Sequence, residues 1–204
     1  MRYTAGLMES RSSLEKQEHL LAQLKGLDSL LVAFSGGADS AYLAWAAHSV
    51  LGECALAVTA LSASFSAHDR QQADTFVRQV GLRHEFIETH EFENPAYVAN
   101  NPDRCFHCKD ELFTQLDKIA AARRYAAVAY GINADDTGDF RPGHGAAIAH
   151  NVLAPLLDAA LTKAEIRELS RRAGLPTWDR PASACLASRV PYGTPVTKES
   201  LTKI

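Results

Sequence analysis

The chain has 204 residues, of which 47% are hydrophobic and 22% charged. Those proportions belong to a soluble globular domain and exclude intrinsic disorder as the dominant state. Lys plus Arg number 21 against 24 Asp plus Glu, a net charge of −3, which disfavours a nucleic-acid partner whose phosphates would need neutralising.

No apolar run approaches the ~20 residues of a membrane span, and the opening segment lacks a signal-peptide core. The expected location is the cytoplasm, with no membrane partner. In that setting Cys54, Cys105, Cys108 and Cys185 read as reduced thiols, ligands or reagents rather than structural disulfides.

Ser12 and Glu15 have the spacing of a capping box, and Leu20, Leu21 and Leu24 give the helix behind it an apolar face that ends near Gly26. The apolar run 30–34 predicts a strand buried on both faces. Leu43, Ala46, Ala47, Val50 and Leu51 predict a helix ending at Gly52, followed by a strand over Ala55–Leu61. Ala73, Phe76, Val77 and Val80 line another helix, and His84–Glu88 a weaker strand. Leu112, Phe113, Leu116, Ile119 and Ala120 mark a long helix, with strands expected at 126–130 and, briefly, at 152–154. Thr162 and Glu165 form a second capping box, and Gly174 and Pro176 close its helix. This alternation predicts an α/β fold with a doubly wound parallel sheet, whose ligand sits beyond the carboxyl ends of the strands. Beyond Gly174 periodicity is lost among Pro176, Pro181, Pro191 and Pro195, until 197–200 resembles a helix start. The expected division is a nucleotide-binding domain over 1–178, then a cysteine-bearing loop and the start of a truncated second domain over 179–204.

Ser35-Gly36-Gly37-Ala38-Asp39-Ser40 lies between the first buried strand and the next helix. Paired glycines and the amides of a helix start form an anion site suited to phosphate. Ser35 and Ser40 add hydroxyls, and Asp39 either caps the helix or helps hold magnesium. No Lys follows the glycines, so this is no Walker A loop, and Gly143-His144-Gly145 is only a near miss of a dinucleotide fingerprint. Asn133, Asp135 and Asp136 follow the fourth strand, where they could meet the nucleotide or its Mg2+, or form a solvated turn. Arg141 and Arg189 are candidate forks for phosphate or carboxylate. Cys185 lies in a small-residue loop between Arg180 and Arg189, cations that would favour its thiolate. Cys105 and Cys108 form a single Cys-x-x-Cys, short of the four ligands of a structural zinc. With Cys185 they could hold three irons of a [4Fe–4S] cluster, or pack or react without a metal.

The hexapeptide resembles the PP-loop of the ATP pyrophosphatases, which cleave ATP between its α and β phosphates and adenylate a substrate oxygen. Three further stretches, at 101–109, 131–143 and 181–193, resemble the LarE family of ATP-dependent sulfur transferases in nickel-pincer cofactor synthesis. The resemblance implies a Rossmann-like PP-loop fold with ATP and Mg2+ at Ser35, Gly36, Gly37, Asp39 and Ser40, aided by Asn133, Asp135, Asp136, Arg141 and Arg189. It assigns sulfur chemistry to Cys185, allows at Cys105, Cys108 and Cys185 the [4Fe–4S] cluster that some LarE-like proteins carry, so that the sulfur comes from Cys185 or the cluster, and implies a pyridinium carboxylate nucleotide as substrate. LarE-like proteins tend to be homo-oligomers and carry a second domain largely missing here. A tRNA thiolase, an ammonia-dependent synthetase and a non-catalytic nucleotide-binding module are the alternatives.

Overall fold

A computed structural model describes residues 11–138 and 141–204, so Asp139 and Phe140 of the second LarE-like stretch lie outside the described residues. In chain order the elements are α1 (Ser13–Lys25), β1 (Leu30–Ala33), α2 (Ala38–Leu51), β2 (Ala55–Leu61), α3 (Ala67–Val80), β3 (His84–Glu88), α4 (Pro95–Val98), α5 (Arg104–Arg123), β4 (Ala127–Tyr130), α6 (Pro142–Ala149), α7 (Pro155–Asp158), α8 (Lys163–Arg172) and α9 (Lys198–Leu201). The four strands pair in the order β3-β2-β1-β4, all parallel. This is the doubly wound α/β sheet that the alternation of elements predicts. Chain order reverses beside β1, which places the ligand crevice at its carboxyl end.

Every residue of β1 is buried, and its side chains alternate between two cores as a strand's period of two demands. Leu30, Val32 and Phe34 join Leu20, Leu24, Leu43, Phe76 and Ile166 in a core that includes α1, α2, α3 and α8. Leu31 and Ala33 join Phe113, Leu116, Ala146 and Ala147 on the opposite face, under α5 and α6. A third, smaller cluster of Tyr97, Ala187, Val190, Val196 and Leu201 packs the carboxyl-terminal segment onto α4.

Both capping boxes form. Ser12 and Glu15 open α1, while Thr162 and Glu165 open α8, with Lys16 reaching across to Glu165 at 2.8 Å. The fourth strand begins at Ala127 because the Ala126 N–H donates to the Ser29 hydroxyl (3.0 Å). The stretch 152–154 forms one parallel bridge, Ala129 to Leu153, before Pro155 starts a helical turn and ends any pairing. Gly143 and Gly145, the near-miss fingerprint, serve helix packing. A Cβ on Gly143 would lie 2.9 Å from Lys109 Cγ, and one on Gly145 would lie 3.7 Å from the Phe106 ring.

Candidate functional site

A cleft of about 520 Å³ opens at the carboxyl ends of the strands. The sequence-named residues Ser35, Gly37, Asp39, Ser40, Asp136, Arg141, Cys105, Cys108 and Cys185 all line it. Gly36, Asn133, Asp135 and Arg189 do not.

The phosphate-loop geometry follows from its glycines and two serines. Gly36 has φ +79°, a region where side chains are strained. The Ser40 hydroxyl donates to the Gly37 carbonyl (3.1 Å) and accepts from the Ser35 N–H (3.2 Å) and the Ser35 hydroxyl (3.0 Å). Gly37 is the N-cap of α2 and no side chain caps it. The helix therefore presents its first amides to the cleft, where an anion can satisfy them.

Asp39 does not cap the helix. Its Oδ2 accepts from Lys163 Nζ at 2.6 Å and from Asn133 Nδ2 at 3.3 Å, while Oδ1 is buried with no partner. An unpaired buried carboxylate oxygen beside a phosphate loop fits a hard divalent cation such as Mg2+. Lys163 was missed from sequence because it belongs to α8, 124 residues from Asp39. Gly131, at the end of β4, sits so close to the loop that a Cβ there would lie 2.8 Å from Ser40 N and 2.9 Å from Ser40 Cα.

The other acidic candidates divide their roles. Asp135 accepts the Lys163 N–H (2.8 Å) at the start of α8. Asp136 accepts the Asn133 N–H (3.2 Å) and pairs with Arg141 (2.6 Å) on the cleft wall. Asn133 is turned inward to Asp39. Arg189 is exposed. Arg180 does not serve the Cys185 thiol as its place in the sequence suggests, because its guanidinium is engaged with Gly36 O (2.7 Å) and Asp69 (3.1 Å).

The fold gathers Cys105, Cys108 and Cys185 around one cleft. Cys105 and Cys185 are exposed and Cys108 is half-buried against the third apolar cluster. Burial pushes the Cys108 thiol up to about 12 against the pull of Lys109, with Glu91, Cys185 and Cys105 adding to the rise. Among the described residues, no three His, Cys, Asp or Glu side chains stand close enough to hold a metal ion. The [4Fe–4S] cluster expected from the cysteines therefore finds no support in the arrangement of these side chains. Cys108 packs against the third apolar cluster, while Cys105 and Cys185 are exposed on the cleft wall.

Two further groups on the cleft wall escaped the sequence reading. Glu91, 2% exposed, follows β3 and leaves its Oε2 without a partner. The Tyr130 phenol, pushed up to about 12 by burial and then by Asp136 and Asp158, stays protonated and shares a hydrogen bond with His144 Nδ1. A carboxylate among Glu88, His90, Glu93 and Asn94, after a weak strand, gives no signal of its own.

No family model matches the chain. An uncharacterized protein of Synechocystis is 42% identical over 94% of this chain and 72% of its own length. The pyridinium-3,5-bisthiocarboxylic acid mononucleotide synthase of Lactiplantibacillus plantarum is 32% identical over 93% of this chain and 69% of its own length. Among solved structures, NMN synthetase from Francisella tularensis matches with a TM-score of 0.65 at 21% identity, over 94% of this chain and 85% of that one. That likeness bears on the fold alone, while family membership rests on the sequence match to the synthase. With its phosphate loop at the end of β1 and that relationship along nearly its whole length, the chain belongs to the LarE family of ATP-dependent PP-loop enzymes.

Proposed function

We propose that this protein adenylates the carboxylate of a pyridinium nucleotide with ATP and converts it to a thiocarboxylate, with Cys185 as the sulfur-bearing residue. One observation carries the reading: the exposed Cys185 thiol and the Ser35–Ser40 loop line the same cleft. A thiol that can reach an acyl group activated at a phosphate loop is what sulfur transfer needs and what nitrogen transfer does not.

The loop amides and the Ser35 and Ser40 hydroxyls hold the phosphates, with Lys163 supplying fixed positive charge beside them. Mg2+ at Asp39, when bound, would neutralise phosphate charge as the α–β bond breaks. The substrate carboxylate oxygen attacks the α phosphorus, pyrophosphate leaves, and an acyl adenylate forms. The Cys185 thiolate attacks the acyl carbon, AMP leaves, and the substrate becomes a thioester of the protein. A base then takes the Cys185 Cα proton, the Cβ–S bond breaks with its electron pair passing to sulfur, and the thiocarboxylate departs. Dehydroalanine remains in the chain.

The test is a single-turnover reaction with ATP, Mg2+ and a pyridinium carboxylate mononucleotide, followed by pyrophosphate assay and intact mass. The expected result is one pyrophosphate per thiocarboxylate and a protein lighter by one sulfur and two hydrogens. Cys185→Ser should release pyrophosphate and transfer no sulfur. Normal sulfur transfer by that variant would exclude Cys185 as the donor.

A further inference from the structure

The Cys185 segment and the phosphate loop are joined by a side chain that neither step of the reaction requires for its chemistry. Arg180 reaches 144 residues back along the chain, donating from Nη1 to the Gly36 carbonyl at 2.7 Å. Its Nη2 donates to Asp69 Oδ1 at 3.1 Å, and Asp69 is itself held by the Ser66 hydroxyl at 2.6 Å at the start of α3. The Arg180 carbonyl accepts from Arg167 Nη2 at 2.7 Å, so the backbone behind the guanidinium is tied to α8. The side chain is 15% exposed.

Two physical consequences follow. An anion cradle works only when its amides face the ligand and its carbonyls face away. At Gly36, with φ +79°, the outward carbonyl meets the guanidinium, which satisfies the oxygen and sets positive charge behind the loop. Second, the thiol-bearing stretch is pinned at both ends. Arg180 ties one end to the phosphate loop, and the Leu186 N–H donates to the Ser64 carbonyl at 3.1 Å at the other. Between those pins residues 181–185 are exposed, so the place of the Cys185 thiol depends on both.

We propose that Arg180 is a positioning residue that couples the two halves of the reaction, holding the phosphate loop in its anion-binding form and the Cys185 segment over the adenylate. The coupling half rests on the sulfur-transfer reading above. The ATP half does not.

The experiment compares the full chain with Arg180→Gln, Arg180→Lys and Asp69→Ala, measuring the KM for ATP and the ratio of pyrophosphate released to thiocarboxylate formed. In Arg180→Gln the KM for ATP should rise about tenfold, the effect of losing one charge-assisted hydrogen bond to the loop. The ratio should climb from one to several, because adenylate formed without a placed thiol is lost to water. Arg180→Lys should recover most of the ATP affinity and little of the ratio, since one ammonium cannot span both Gly36 and Asp69. Asp69→Ala, which removes the acceptor of one arm of the fork without touching the loop, should raise the ratio with little change in KM, and it serves if Arg180→Gln does not fold. Equal loss of both products in Arg180→Gln at an unchanged KM would reduce Arg180 to a structural role and overturn the proposal. A wild-type protein that releases pyrophosphate and forms no thiocarboxylate would overturn the sulfur reading and the coupling with it, leaving the KM arm to decide the loop role separately.

Discussion

Gly131 shows how finely the phosphate loop is placed. Its missing side chain lets the end of β4 lie against the backbone of Asp39 and Ser40, where a Cβ would come within 2.8–3.0 Å of three backbone atoms. Backbone cannot yield as a side-chain tip can, so Gly131→Ala should cost about 1–3 kcal/mol in overpacking. It should also raise the KM for ATP, since the strain falls on the first turn of α2. Urea unfolding beside a pyrophosphate assay separates the two, and unchanged values in both would mean the loop tolerates displacement. The loop itself could be read from sequence because glycines, hydroxyls and a buried strand lie together in six residues. Lys163, Arg180 and Glu91 could not. Each reaches the site from a distant element, and a lone Lys, Arg or Glu has no pattern until the fold supplies its partner.

At the scale of elements, the capping boxes and apolar runs placed most helices and strands within a residue or two, because each rests on local backbone chemistry. What local chemistry could not show was how α6 meets α5. Gly143 and Gly145 allow close approach, and His150, just beyond α6, is held by Asp117 (2.6 Å) and Asp110 (3.1 Å) on α5 and faces the Phe113 ring. Burial alone would lower the His150 pKa, but the hydrogen bonds to Asp117 and Asp110, with their charges, outweigh it and raise it. A raised folded-state pKa gives stability that is complete below the unfolded value of about 6.5 and is lost as pH rises through the folded value. Both aspartates are nearly half exposed, so the contribution stays under about 1 kcal/mol. Unfolding midpoints should therefore fall modestly as pH rises from about 6.5, and His150→Gln should flatten that slope. An identical slope in the variant would place the titration elsewhere.

For the molecule as a whole, the sheet and its two large cores were legible in the sequence, while the segment after Gly174 was not. Its order comes from tertiary contacts that leave no periodic trace. Asn100 is the hub. Fully buried at φ 56°, it donates through Nδ2 to the carbonyls of Val190 (3.3 Å), Pro191 (2.8 Å) and Thr194 (2.9 Å), and its Oδ1 accepts from Arg104. Arg104 in turn donates to the Ala187 carbonyl at 2.8 Å. Asn100→Ala would leave these groups unsatisfied, at a cost of about 2–4 kcal/mol. The loss should be local. Hydrogen exchange should quicken across 186–196 while the amides of β1 remain protected, and uniform loss of protection would show that the segment and sheet unfold as one unit.

The unpartnered oxygens of Asp39 and Glu91 bear on the life of the protein as well as its chemistry. Burying bare carboxylate oxygens weakens the empty fold, and whatever cation or donor arrives with the nucleotide relieves that penalty only in the folded state. Ligand therefore acts as a chaperone of the finished chain, by mass action. Unfolding midpoints should therefore rise with the concentration of Mg2+ and ATP, and a midpoint that ignores both would show that the bare Asp39 oxygen is not their site.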